Sequence, residues 1–277
     1  GYYCTPGRKK SSGHQYSDIN YREEFVDIER NLIKLDIMLE QYNPEKILFL
    51  DIETVPRYSS FSELPEKEEE FWDKKSSRFR DEEESAADVY SRAGIYAEFG
   101  KVICISVALI VNRSGTYGLR VKSFYGDDEQ ALLKDFAGML NKFSEKSDVY
   151  LCAHNGKEFD FPYIIRRLLI NGLSVPDILN VPGKKPWEVP FLDTMELWKF
   201  GDYKNYTSLD LLAYKFDIPT PKDDIDGSMV GRIYWEEQDL DRIVRYCEKD
   251  AIAVAQLFLR YKGLSLVNQD LIEYVTV

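Results

Sequence analysis

Three short stretches carry side chains that could do chemistry together. In KILFLDIETVP, residues 46–56, Asp51 and Glu53 follow the unbroken apolar run Ile47–Leu50. A run this short reads as a strand buried on both faces. Side chains alternate along a strand, so Asp51 and Glu53 point to the same side. Two neighbouring carboxylates repel each other and resist burial. A divalent metal between them is the usual answer. Taken alone, D-x-E is more simply a strand ending in a solvated acidic turn. The second stretch is HNGKEFD, residues 154–160, where Asn155 and Gly156 turn the chain and Asp160 stands at the start of a helix. By itself Asp160 is most simply a helix cap. His154 has no second histidine nearby to build a zinc site and reads as a satisfied polar residue. The third is YCEKD, residues 246–250, where Tyr246 and Asp250 are four apart and share a helix face. Ala251, Ile252, Ala253 and Val254 follow directly, so Asp250 borders buried chain and is aimed at a site.

These stretches need elements to hold them. The apolar patterns predict strands over 101–111 and 119–125, joined as a hairpin through Gly115 and Gly118, and over 148–153 and 191–193. Helices are expected over 129–143 behind the cap Asp127-Asp128, over 160–171 closed by Gly172, over 209–216, and over 239–261. The order of elements predicts an α/β fold, a mixed central sheet with helices on both faces. Residues 1–20 read as a flexible leader. Residues 21–45 hold an amphipathic helix over Tyr21–Tyr42, stopped by Asn43-Pro44. Residues 46–277 form one catalytic domain. Within it, residues 57–99 are a charged insertion beside the acidic pair. Part of this insertion is expected to border a substrate groove, with Trp72, Tyr90 and Tyr96 as candidate stacking residues, each more simply a core residue.

Composition narrows the function. The chain has 277 residues and a net charge of −12, which argues against broad duplex binding through basic surface. A site loaded with metal would supply positive charge locally instead. Cys4, Cys104, Cys152 and Cys247 are too scattered for a structural zinc. Cys104 and Cys152 fall inside strand patterns and read as reduced core residues, fitting a reducing, cytoplasmic setting. No stretch is long and apolar enough to span a bilayer, so no membrane partner is expected.

Taken together, Asp51-x-Glu53, Asn155-x-x-x-Phe159-Asp160 and Tyr246-x-x-x-Asp250 resemble the three motifs of the DEDD, or DnaQ-like, exonucleases. The tyrosine resembles the DEDDy branch. The chain is most similar to the standalone predicted exonucleases related to the proofreading domain of family B DNA polymerases, from about Lys46 to Tyr261, with IYAEFGKVICIS and IDGSMV also alike. The resemblance implies a ribonuclease-H-like fold and 3′→5′ hydrolysis of phosphodiester bonds with two Mg2+ or Mn2+ ions. It implies that Asp51 bridges both ions, that Glu53 and Asp250 complete the nucleophile-side metal site, and that Asp160 supports the second. Tyr246 would orient the attacking water. Thr54, Asn155 and Phe159 would touch the substrate, the 3′ end of a single-stranded nucleic acid, DNA ahead of RNA. Phe159 is equally well a core residue.

Two other classes stay open at this point. Asp51-Ile-Glu53-Thr54 also resembles the D-x-D-x-T opening of haloacid-dehalogenase-like phosphatases, although Glu53 is one methylene too long and the Tyr246–Asp250 pair goes unexplained. A nucleic-acid-binding module that has lost catalysis is the other.

Overall fold

The structure is a computed structural model and describes residues 39–202, 206–219 and 225–275. The expected leader and most of the expected 21–42 helix lie outside them. Cys4 does too.

In the unit Tyr42–Val277 the chain builds one six-stranded sheet. β1 spans Ile47–Pro56. The insertion follows, with helix α1 at Glu66–Ser76. Next come β2, Gly100–Arg113, and β3, Thr116–Tyr125. Helix α2 covers Glu129–Ser144 and β4 Tyr150–Ala153. Helix α3 is Asp160–Ile170, β5 Phe191–Asp193, and helix α4 Thr194–Lys199. Helix α5 runs over Leu209–Lys215. A single turn at Val230–Arg232 and a π-helix at Ile233–Glu237 lead into α6, Leu240–Tyr261. β6, Ile272–Tyr274, ends the described chain. The sheet order is β5-β4-β1-β2-β3-β6. β2 pairs antiparallel with β1 and β3, while β4, β5 and β6 pair parallel with β1, β4 and β3. This is the expected mixed sheet, with helices on both faces.

The hairpin joining β2 to β3 turns at Ser114 and Gly115, with φ of 54° and 92°. Both positive φ angles suit the right-handed twist of the strands, and glycine meets the second without strain. The Asn112 side chain accepts from the Gly115 N–H at 2.8 Å.

Alternation along β1 divides the core. Leu48, Leu50 and Ile52 pack with Ile105, Val107, Leu133 and Phe136, and with Phe161 and Ile164 of α3. Ile47 and Phe49 pack on the other face with Ala251, Val254, Ala255 and Phe258 of α6. The alanines let α6 lie close to the strand. Asp239 caps α6 by accepting from the Arg242 N–H at 3.1 Å, and Asp128 caps α2 from the Ala131 N–H at 3.0 Å.

The insertion carries its own small core of Leu64, Trp72, Ala86, Val89, Tyr90 and Ala93. Trp72 is fully buried, and its indole N–H donates to the Ala86 carbonyl at 2.8 Å. Tyr90 is buried against it. Tyr96 is half-buried and stacks on Phe79, with Lys75 Nζ at 4.4 Å from its centroid. Trp72 and Tyr90 are therefore core residues, the simpler of their two readings, and are not free to stack on substrate: with Leu64, Ala86, Val89 and Ala93 they fill the insertion's own core. β6 was not expected; it adds a parallel edge strand beside β3.

Candidate active site

The first motif sits on the central strand. The odd-numbered positions of β1 face α6, so Asp51 and Glu53 continue the Ile47–Phe49 face toward that helix. Glu53 lies opposite Cys104 and Thr54 opposite Val102, which leaves Ile103 as an extra residue on β2. Such a bulge bends the strand and re-aims its side chains. Glu53 is buried and Asp51 half-buried.

The second motif starts where β4 leaves β1. Their pairing runs over Ile47–Phe49 and Tyr150–Cys152. Past it the backbone of β1 turns to a side chain: the Asp160 carboxylate accepts from the Ile52 N–H and from its own N–H at the start of α3. Asn155 holds a φ of 62°. At Gly156 a Cβ would stand 2.4 Å from that of Ala153, so only glycine lets the loop fold back on its strand.

Asp193, at the end of β5, clamps this loop. Its buried carboxylate accepts from the N–H groups of Asn155 at 2.9 Å, Lys157 at 3.1 Å, Met195 at 3.0 Å and Glu196 at 3.3 Å. It thus caps α4 and fixes the Asn155 turn together. His154 bonds through Nδ1 with Thr194 Oγ1 and through Nε2 with the Thr207 carbonyl, both at 2.9 Å. It is a structural residue, as its lack of a partner histidine suggested. Asn155 Oδ1 is buried with no hydrogen-bond partner.

The third motif lies on α6. Tyr246 donates its hydroxyl to the Asp250 carboxylate, as their four-residue spacing predicts. One residue along, the Cys247 thiol donates to the main-chain carbonyl of Asp51 at 3.4 Å.

The carboxylates from the three motifs feel one another. Burial first, then Asp250, Glu53 and Asp160, push Asp51 well above the usual carboxylate range. Glu53 is raised well by burial, then by Asp250, Cys104 and Asp160. Asp160 is pushed up to about 7, chiefly by burial, with Asp193 and Asp250 adding to it and the two N–H bonds opposing. Tyr246 is raised by burial and then by Asp250, Glu53 and Asp51. Groups this far apart in sequence share one electrostatic site. A hard divalent metal fits its oxygen donors.

The tightest donor group is Asp51, Glu53 and Cys247, with ligand atoms all within 4.8 Å of one another. This trio is a candidate metal-binding cluster. Its sulfur is the poorer ligand: burial, above all, pushes the thiol well up, so it stays protonated and donates to Asp51. Hard ions favour the carboxylates.

Of the expected substrate residues, Thr54 follows Glu53 directly on β1, while Asn155 and Phe159 lie on the loop that leads into Asp160. Thr54 is half-buried, and its side chain bonds the Tyr163 hydroxyl, which in turn donates to the Gly94 carbonyl at 2.8 Å. Phe159 is half-buried, tilted against Tyr163 at 5.4 Å between centroids, and packs on the core. Asn155 belongs to the clamped turn. Sequence reading missed Asp193 and Cys247. An aspartate at a strand end before Thr-Met-Glu was a visible cap signal for Asp193; nothing local marked Cys247.

Residues 95–273 match the family described as predicted 3′-5′ exonucleases related to the exonuclease domain of PolB. The fold and site define a DEDDy-type, ribonuclease-H-like exonuclease, a hydrolase. The chain belongs to that family of predicted exonucleases. The matched span holds the second and third motifs, and Asp51 and Glu53 lie before it. Among solved structures, the RNase domain of the yeast Pop2 protein is similar at 13% identity, over 88% of this chain and 93% of that one, with a TM-score of 0.34. So low a score leaves the family assignment to the sequence match. No curated protein matches the chain. Membership and the acidic cluster make it a metal-dependent hydrolase acting on nucleic acid. Among the described residues no helix is long and apolar enough to cross a membrane.

Proposed function

We propose that the chain is a 3′→5′ exonuclease that removes mononucleotides from the 3′ end of a single strand, DNA ahead of RNA, using two Mg2+ or Mn2+ ions. One observation carries this reading: Asp51, Glu53, Asp160 and Asp250 come from three separate motifs, yet Asp250 raises the other three and Asp51 is raised by all of its partners. All four would hold metal, with Asp51 at the centre because it feels the other three. Two such ions supply a water of lowered pKa and offset charge on the attacking and leaving oxygens. The Tyr246 hydroxyl, anchored on Asp250, orients the attacking water. Cys247 is scaffold, holding Asp51 against α6. The backbone near Thr54 and the ring of Phe159 receive the terminal nucleotide, and Asn155 Oδ1 is an acceptor left over for it.

Residues 46–277 form the catalytic domain on this reading. A reducing, cytoplasmic setting belongs to it too, supported by buried free thiols at Cys104, Cys152 and Cys247. The phosphatase reading gives Tyr246 nothing to do. The inactive-module reading leaves a strained acidic cluster without a use.

A 5′-labelled single strand incubated with Mn2+ should shorten one nucleotide at a time, while a circular strand of the same sequence resists. Comparable cleavage of the circle would contradict the reading.

A further inference from the structure

We infer that Lys199, Phe200 and Tyr206 form a stacking platform for the bases of the single strand behind its 3′ end. This rests on the reading that the site takes the 3′ end of a single strand. The platform is attached to the second-motif loop. The Tyr206 hydroxyl donates to the Glu158 carboxylate, two residues before Asp160. The next carbonyl, of Thr207, bonds His154 Nε2 at 2.9 Å. Tyr206 is therefore strapped to the margin of the acidic site, with 65% of its surface exposed. Lys199 Nζ stands 5.0 Å from its ring centroid.

Phe200 follows at the end of α4 and is 68% exposed. Its φ of 42° lies in the left-handed region, which bulky residues rarely adopt. It ends helix α4 as a left-handed cap and leaves the Phe200 ring exposed. The ring meets Trp198 edge-on at 6.5 Å, and Trp198 stacks on Tyr261 at 6.2 Å. Phe200 thus stands on a base joined to α6, the helix that carries Tyr246 and Asp250.

Charge limits where a polyanion can lie. The insertion exposes the acidic run Asp81–Glu84, which would repel a polyanion. A duplex would need the broad basic surface that a chain of net charge −12 does not offer. Unpaired bases need less, because aromatic rings bind them by stacking and one lysine can meet the backbone. The occupant is therefore single-stranded nucleic acid, inward from the cleaved bond.

The test compares oligothymidylates of three and twelve nucleotides on the full chain. In the Asp51→Asn background, which stops turnover, fluorescence anisotropy should show the longer strand binding about tenfold tighter. Adding Phe200→Ala and Tyr206→Ala should remove that gain with length. Tyr206→Phe, which keeps the ring and loses the Glu158 bond, should restore the gain when Phe200 is intact. In the active chain the same pair of alanines should flatten the dependence of KM on length. Length dependence unchanged in the double variant, or no gain with length in the parent, overturns the platform. Loss of the gain in Tyr206→Phe as well would overturn it in favour of a role in positioning the loop. Absence of mononucleotide release from any strand would instead count against the exonuclease reading, and the binding arm would still judge the platform.

Discussion

The Cys247 thiol lies 3.4 Å from the main-chain carbonyl oxygen of Asp51, joining the helix of the third motif to the strand of the first beneath the carboxylates. This contact assigns the sulfur to the scaffold. Cys247→Ala should cost about 1 kcal/mol, a fall in Tm of about 2–4 °C. Mn2+ affinity should stay close to wild type by calorimetry. Loss of metal binding in a folded Cys247→Ala protein would make the thiol a ligand.

Tyr246 is tied to Asp250 by its hydroxyl alone, and its ring packs beside Ile243 and Ile233. Tyr246→Phe keeps the ring. It should lower kcat on the order of 10²-fold while leaving the fold and metal affinity nearly intact. Full activity in Tyr246→Phe would make the tyrosine a core residue only.

Stability should report the acidic cluster as well. Asp160 has a folded-state pKa of about 7, above its unfolded value near 4. The folded state therefore binds more protons. The stability tied to its neutral form is fully present below about pH 4 and is lost as pH rises through about 7. In metal-free buffer, Asp160→Asn should gain in Tm relative to wild type between pH 5 and pH 8. Adding Mg2+ at pH 8 should favour wild type instead. A difference that does not change with pH would mean that Asp160 is not held in this acidic site.

Asp193 accepts four backbone N–H groups and lies close enough to Asp160 to raise its pKa. Asp193→Ala strands buried donors and should cost roughly 3 kcal/mol or more in urea melts. Asp193→Asn should cost less, since one oxygen still accepts. Equal melting of wild type and Asp193→Ala would remove the clamp from the account.

Local pattern made much of this visible. The Ile47–Leu50 run announced the central strand, the hairpin sequence gave β2 and β3, and the 246–250 spacing placed tyrosine and aspartate on one face. What stayed hidden depends on contacts across the fold. Ile103 became a bulge because β1 and β2 lose register between Glu53 and Thr54. Asp193 reads as an ordinary strand end until β5 is laid beside β4. The aromatic residues of the insertion gave no sign of direction, since a stacking surface and a small core use the same residue types. In Trp72 and Tyr90 the core won, because both rings close over Leu64, Ala86, Val89 and Ala93.

The central claim is that Asp51 anchors a metal site made by all three motifs, and its direct test is the rate of Mn2+-dependent mononucleotide release by Asp51→Asn beside wild type. With the fold verified by circular dichroism, the account predicts a fall of about 10³-fold or more, because the variant loses the charge shared by the whole site. Release at a rate near that of wild type would contradict it.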